Sequence, residues 1–130
     1  TENGLDLYGN SVIVNTDYAK KNPNLVKGFI NATLMGTRDV VADPASTVKY
    51  VIKYNNVARE AVELERLEMA LRDNLLTSYV KKNGMGGINK QRFERSIKQL
   101  GESYKFKRNV RVDNVFTEDY LPSKANRIIN

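Results

Sequence analysis

The sequence predicts a mainly α chain with one short β-strand. Three observations lead there. Apolar residues recur at helical spacing through most of residues 17–104. Asn, Asp and Thr residues that suit helix starts punctuate that pattern, and Pro follows such a residue at Asn22-Pro23 and Asp43-Pro44. Only residues 10–15, NSVIVN, form a short β-branched run between turn formers.

Residues 1–9 read as an extended lead-in, with Leu5, Leu7 and Tyr8 set against Asp6. In the strand after it, Val12, Ile13 and Val14 are adjacent, which points to cover on both faces. Asn15 or Thr16 caps a short helix through residues 17–21, and Pro23 restarts the chain at a first-turn position. Leu25, Val26, Phe29, Ile30, Thr33, Leu34, Thr37, Val40 and Val41 then follow at helical spacing. Gly28 and Gly36, eight apart, are expected to let a neighbouring backbone come close. Asp43 ends that helix and caps the next, whose face carries Val48, Val51 and Ile52.

Asn55-Asn56 breaks the chain, and residues 57–76 give the strongest helical pattern, with Ala61, Leu64, Leu67, Leu71 and Leu75 on one face. Thr77 or Ser78 starts a short turn of helix. Asn83-Gly84-Met85-Gly86-Gly87 is a loop, read as a flexible turn between helices. Asn89 caps another helix with Phe93, Ile97, Leu100 and Tyr104 as its stripe. The tail from Lys105 is basic and irregular. The chain thus divides into lead-in and strand (1–15), helices (16–104) and tail (105–130), read as a single helix-rich segment 1–130.

The 130 residues are 41% apolar and 28% charged, a composition of globular chains. No apolar run approaches the roughly 20 residues that span a bilayer. Thr1 is followed by polar residues without a basic n-region or an apolar h-region, so the chain is expected to begin after processing or inside a longer protein. Cys and His are both absent. That removes thiol chemistry, disulfides, the commonest general base and the commonest metal ligand. No enzyme, cofactor or metal site is expected. Residues 1–75 carry 9 basic and 10 acidic side chains, and residues 76–130 carry 12 and 5, so the excess charge sits in the second half.

Glu60, Glu63, Glu65 and Glu68 crowd one helix, but Arg59, Arg66 and Arg72 interleave, and Glu68 with Arg72 has salt-bridge spacing. A solvated face explains them better than a catalytic pair. The Gly84–Gly87 run lacks the Lys-Ser or Lys-Thr of a phosphate loop. Asn31-Ala32-Thr33 matches a glycosylation sequon in mid-helix. Lys105, Lys107, Arg108 and Arg111 flank Tyr104 and Phe106. That mixture suits single-stranded nucleic acid, but aromatics that anchor the tail while the charges face water are the preferred reading. Asp6, Tyr8 and Asn10 sit beside the strand, where polar and aromatic groups line ligand clefts.

A strand without a visible partner leaves its N–H and C=O groups unpaired, so it is expected at an edge or paired with another chain. The segment order is also familiar. GLDLYGNSVIVNTDYAKKNPNLVKGFINATLMGTRDVVADP resembles the solute-binding proteins of nitrate/sulfonate/taurine-type ABC importers, including relatives that bind thiamine-precursor pyrimidines. AVELERLEMAL, NGMGGINKQRFERSIKQL and VFTEDYLP fit the same pattern.

The resemblance implies the C-terminal part of a two-lobed α/β periplasmic-binding-protein (type II) fold, periplasmic or lipid-anchored outside the cell. It implies capture of a small polar solute, pyrimidine-like or sulfonate-like, and delivery to an ABC permease. The partner of the strand would be the remaining N-terminal part of the same protein or another copy of the chain. Biosynthetic relatives depend on His, which this chain lacks. The ligand-binding residues implied are Asp6, Tyr8 and Asn10. Tyr8 would stack on a planar ligand and Asp6 would accept hydrogen bonds from an amine or amidine, favouring a pyrimidine. The competing reading is a helical interaction domain whose basic half binds nucleic acid; under the preferred reading no nucleic acid is expected.

Overall fold

The structure is a computed structural model that describes residues 7–129. Seven α-helices succeed one another among the described residues: α1 (Thr16–Lys21), α2 (Pro23–Ala42), α3 (Pro44–Tyr54), α4 (Glu60–Ala70), α5 (Ser78–Asn83), α6 (Lys90–Ser103) and α7 (Val112–Val115). A π-helical turn, Leu71–Leu75, extends α4, and a 3-10 turn, Lys124–Arg127, lies near the end.

Local chemistry sets most boundaries. The Asn15 side chain accepts from the Tyr18 N–H at 3.0 Å and starts α1. Pro23 opens α2, its missing N–H falling among donors that a helix start leaves unpaired anyway. The Asp43 carboxylate accepts from the Ser46 N–H at 3.0 Å and caps α3. Bonding from Ser46 holds that carboxyl below its ordinary pKa. Thr77 caps α5 through the Val80 N–H at 3.3 Å, and Asn89 caps α6 through the Arg92 N–H at 2.9 Å.

The core gathers around Leu34 of α2, Met85 of the glycine loop and Ile129 of the tail, with Ile30, Val41, Leu75, Leu76 and Val80 against it. Val48 of α3, 1% exposed, is the most deeply buried large side chain among the described residues. The helix α3 lies against both α2 and α4, and α7 against α6.

Several expectations are corrected. No strand forms among the described residues: 10–15 carry no ladder, and Ile13 is 91% exposed. A β-branched run becomes a strand only when another strand satisfies its backbone, and none of the described residues does so. No backbone closes on Gly28 or Gly36; a Cβ at either would meet open space. The helix expected from Val57 begins at Glu60, after a turn at Asn55 to Ala58.

The expected Glu68–Arg72 pair is replaced. The π turn, closed by the Leu76 N–H on the Leu71 carbonyl at 2.7 Å, shifts the register after Ala70. Arg72 instead grips Asp73 at 2.7 and 3.1 Å, while Arg66 pairs with Glu63 at 3.1 Å. The tail is less irregular than expected, since it carries α7 and the 3-10 turn. Tyr104 is not an anchor: it stands 65% exposed beyond α6.

Candidate functional site

Two regions of the molecule bring distant residues together. The first joins the lead-in to α6. The Asn89 N–H donates to the Tyr8 hydroxyl at 2.7 Å. The Arg92 guanidinium lies 4.3 Å from the centre of the Tyr8 ring and donates to the Leu7 carbonyl at 2.9 Å. Phe93 tilts against Tyr8 at 5.8 Å between ring centres, and Phe116 against Phe93 at 6.4 Å. A cation over an aromatic face is worth about 0.5–2 kcal/mol, more as water is excluded. One face of Tyr8 and its hydroxyl are therefore already engaged.

The second region docks the tail on the glycine loop. Arg127 is 7% exposed. Its guanidinium donates to the Met85 carbonyl at 2.8 Å, the Pro122 carbonyl at 3.1 Å and the Glu118 carboxylate at 3.3 Å. In return the Met85 N–H donates to the Arg127 carbonyl at 2.8 Å. Arg38 of α2 donates to the Asn126 and Ile128 carbonyls. The loop is thus a docking surface for the tail, correcting its reading as a flexible turn.

Glycine is needed there for two reasons. Gly84 has φ +84°, and a Cβ on it would sit 2.9 Å from the Arg127 Cβ. Tyr79, on α5, senses both regions. Burial raises its pKa, with further upward pressure from Tyr8 and Glu118 and a downward pull from Arg127.

Of the residues singled out in the sequence, Tyr8 is built into the first region and Asn10 is exposed beside it. Asp6 lies outside the described residues. Sequence reasoning missed Arg92 and Arg127. Arg92 falls in a helical stretch whose apolar stripe draws attention to Phe93, and Arg127 sits in a tail with no periodicity. A guanidinium's partners 42 or 85 residues away leave no local signal.

Two shallow depressions stand out on the surface of the described residues. One, about 240 Å³, is lined by Lys90, Glu94, Ile97, Val110, Arg111, Val112 and Asp113. The Lys90 ammonium meets the Asp113 carboxylate there at 2.8 Å, which raises the pKa of the lysine and lowers that of the aspartate. The other, about 200 Å³, is lined only by apolar and aromatic side chains: Val12, Ile13, Val14, Tyr18, Leu25, Val26 and Phe29. Both fall short of the roughly 300–1,000 Å³ that encloses a small-molecule ligand.

The apolar depression belongs to a wider open face. Leu25 and Phe29 are 59% and 57% exposed, and Gly28, Ala32, Met35 and Gly36 are exposed with them on α2. Among the described residues there is no cluster of potential metal ligands, and no helix is long and apolar enough to cross a membrane.

Comparison with known families matches residues 1–47 to the NMT1/THI5-like family, generally one of binding proteins. The match covers about a third of the chain: the lead-in, α1, α2 and the start of α3. It supports a solute-binding role of the ABC-importer type in general terms. No curated protein and no solved structure matches the chain.

Proposed function

We propose that the chain is the helix-rich part of an extracytoplasmic solute-binding protein, which captures a small polar organic solute and delivers it to an ABC permease. One observation carries this reading. The whole open apolar face, from Val12 to Met35, lies inside the segment similar to the NMT1/THI5-like family. A helix apolar on both sides normally has neighbours on both sides. Here α2 meets the core with one side only.

The natural occupant of the open face is a β-strand from the rest of the same polypeptide. Val12, Ile13 and Val14 are β-prone, exposed and in no helix. Pairing them would satisfy their backbone, and the sheet so formed would cover Leu25 and Phe29. A second copy of the chain is the competing occupant. Light scattering distinguishes them: a monomer in dilute solution fits the first, and a dimer broken by Ile13→Lys fits the second.

In this reading the solute lies beside the lead-in, near Tyr8, Asn10 and Asp6, in a cleft completed by the covering sheet. Tyr8 is held rigid by Asn89, Arg92 and Phe93, which suits a wall against a planar ring. Asp6 would accept from an exocyclic amine, favouring an aminopyrimidine over a sulfonate. Isothermal titration of the full-length polypeptide, covering sheet included, with an aminopyrimidine and with a short alkyl sulfonate tests this. Saturable aminopyrimidine binding is expected. Tighter sulfonate binding would reverse the ligand preference, and heat from neither would contradict the solute-binding reading.

A further inference from the structure

We infer that the loop after α6 is a contact surface for an anionic phospholipid bilayer. Residues 101–109, the last turn of α6 and the loop after it, are all exposed. Its loop part, residues 104–109, carries Lys105, Lys107 and Arg108 and no acidic side chain, with Glu102 at the end of α6 the nearest before it. Among the described residues none of these three pairs with a carboxylate. Arg111 follows, its charge shared with nearby Asp113.

Two aromatic rings stand in the same stretch. Tyr104 is 65% exposed, and Phe106 rests over Gly101, where an added Cβ would meet the ring at 3.4 Å, yet keeps much of its surface in water. Exposed rings with uncompensated cations beside them match a headgroup layer, where rings enter the interface and cations meet lipid phosphates. A nucleic-acid strand fits less well. Strand binding uses a basic groove with rings along it. The charged depression nearby has Glu94 and Asp113 in its lining beside Lys90 and Arg111. This inference does not use the solute-binding reading and stands or falls apart from it.

Co-sedimentation of the full chain with vesicles tests it. Binding is expected to vesicles of equal parts phosphatidylglycerol and phosphatidylcholine, to fall as salt rises, and to be absent with phosphatidylcholine alone. Each basic residue near an anionic surface contributes roughly a five-fold gain in affinity. The triple change Lys105→Gln, Lys107→Gln and Arg108→Gln should therefore weaken binding on the order of 100-fold. These side chains are exposed, and an unchanged circular dichroism spectrum would show the fold intact. Tyr104→Ser should weaken binding several-fold. The inference is overturned by no sedimentation, by equal sedimentation with phosphatidylcholine alone, by full binding of the triple variant, or by tighter binding to a single-stranded oligonucleotide than to the anionic vesicles.

Discussion

The two sides of α2 have the same apolar character and opposite surroundings. On the inner side Ile30, Leu34 and Val41 meet Met85, Ile129, Leu75, Leu76 and Val80. On the outer side Leu25, Phe29 and Met35 face open space, and Gly28 and Gly36 have nothing near them. Burial of one large apolar side chain is worth about 1.5–3 kcal/mol. The inner side gains that energy within the chain. The outer side has it in reserve for whatever covers it. A buried and an open apolar side thus share one helix, separated by about half a turn.

The sharpest way to break the contrast is to truncate both sides. Leu34→Ala is expected to destabilise the chain by about 2–5 kcal/mol, measured by urea denaturation. Phe29→Ser on the outer side should change stability by less than about 0.5 kcal/mol. A Phe29 effect as large as that of Leu34 would mean the outer face is already covered.

Next in size is the lock that closes the inner side. Arg127→Met leaves the Met85 and Pro122 carbonyls without their donor, a loss of about 1–3 kcal/mol. Gly84→Ala should cost a similar amount, about 1–3 kcal/mol, because φ +84° strains an L side chain. Both shifts should appear in thermal melts and in faster proteolysis of the tail.

Smaller still is Tyr8→Phe, which leaves the Asn89 N–H without its phenolic acceptor and should cost about 0.5–1.5 kcal/mol. The least effect is expected at Tyr79. Its pKa is raised by burial, so its contribution to stability is intact below the ordinary tyrosine value near 10 and is lost as pH rises through the higher folded value. Ultraviolet titration should show a late-ionising component that disappears in Tyr79→Phe.

Helix starts were legible in the sequence because caps are local. Asn15, Asp43, Thr77 and Asn89 act within three residues of themselves. The extended run at Val12 to Val14 was legible as β-prone but not as unpaired, since pairing depends on segments elsewhere. Exposure of Tyr104 and burial of Arg127 were not legible either. The stripe through Phe93, Ile97 and Leu100 continues to Tyr104 in sequence, but α6 stops at Ser103 and the chain turns away. Arg127 is buried because backbone carbonyls 5 and 42 residues away happen to converge on it. Of the ligand-site expectation, Tyr8 was found as an aromatic beside the run. Its supports, Asn89 and Arg92, come from the far end of the chain.

Amide hydrogen exchange on the isolated chain tests the contrast between the two sides most directly. Fast exchange is expected at residues 11–14, with slow exchange around Leu34 in α2 and at the Met85 amide, which is bonded to the Arg127 carbonyl. Strong protection of residues 11–14 in the monomer would show that the run is already paired, and would contradict an open face awaiting a strand.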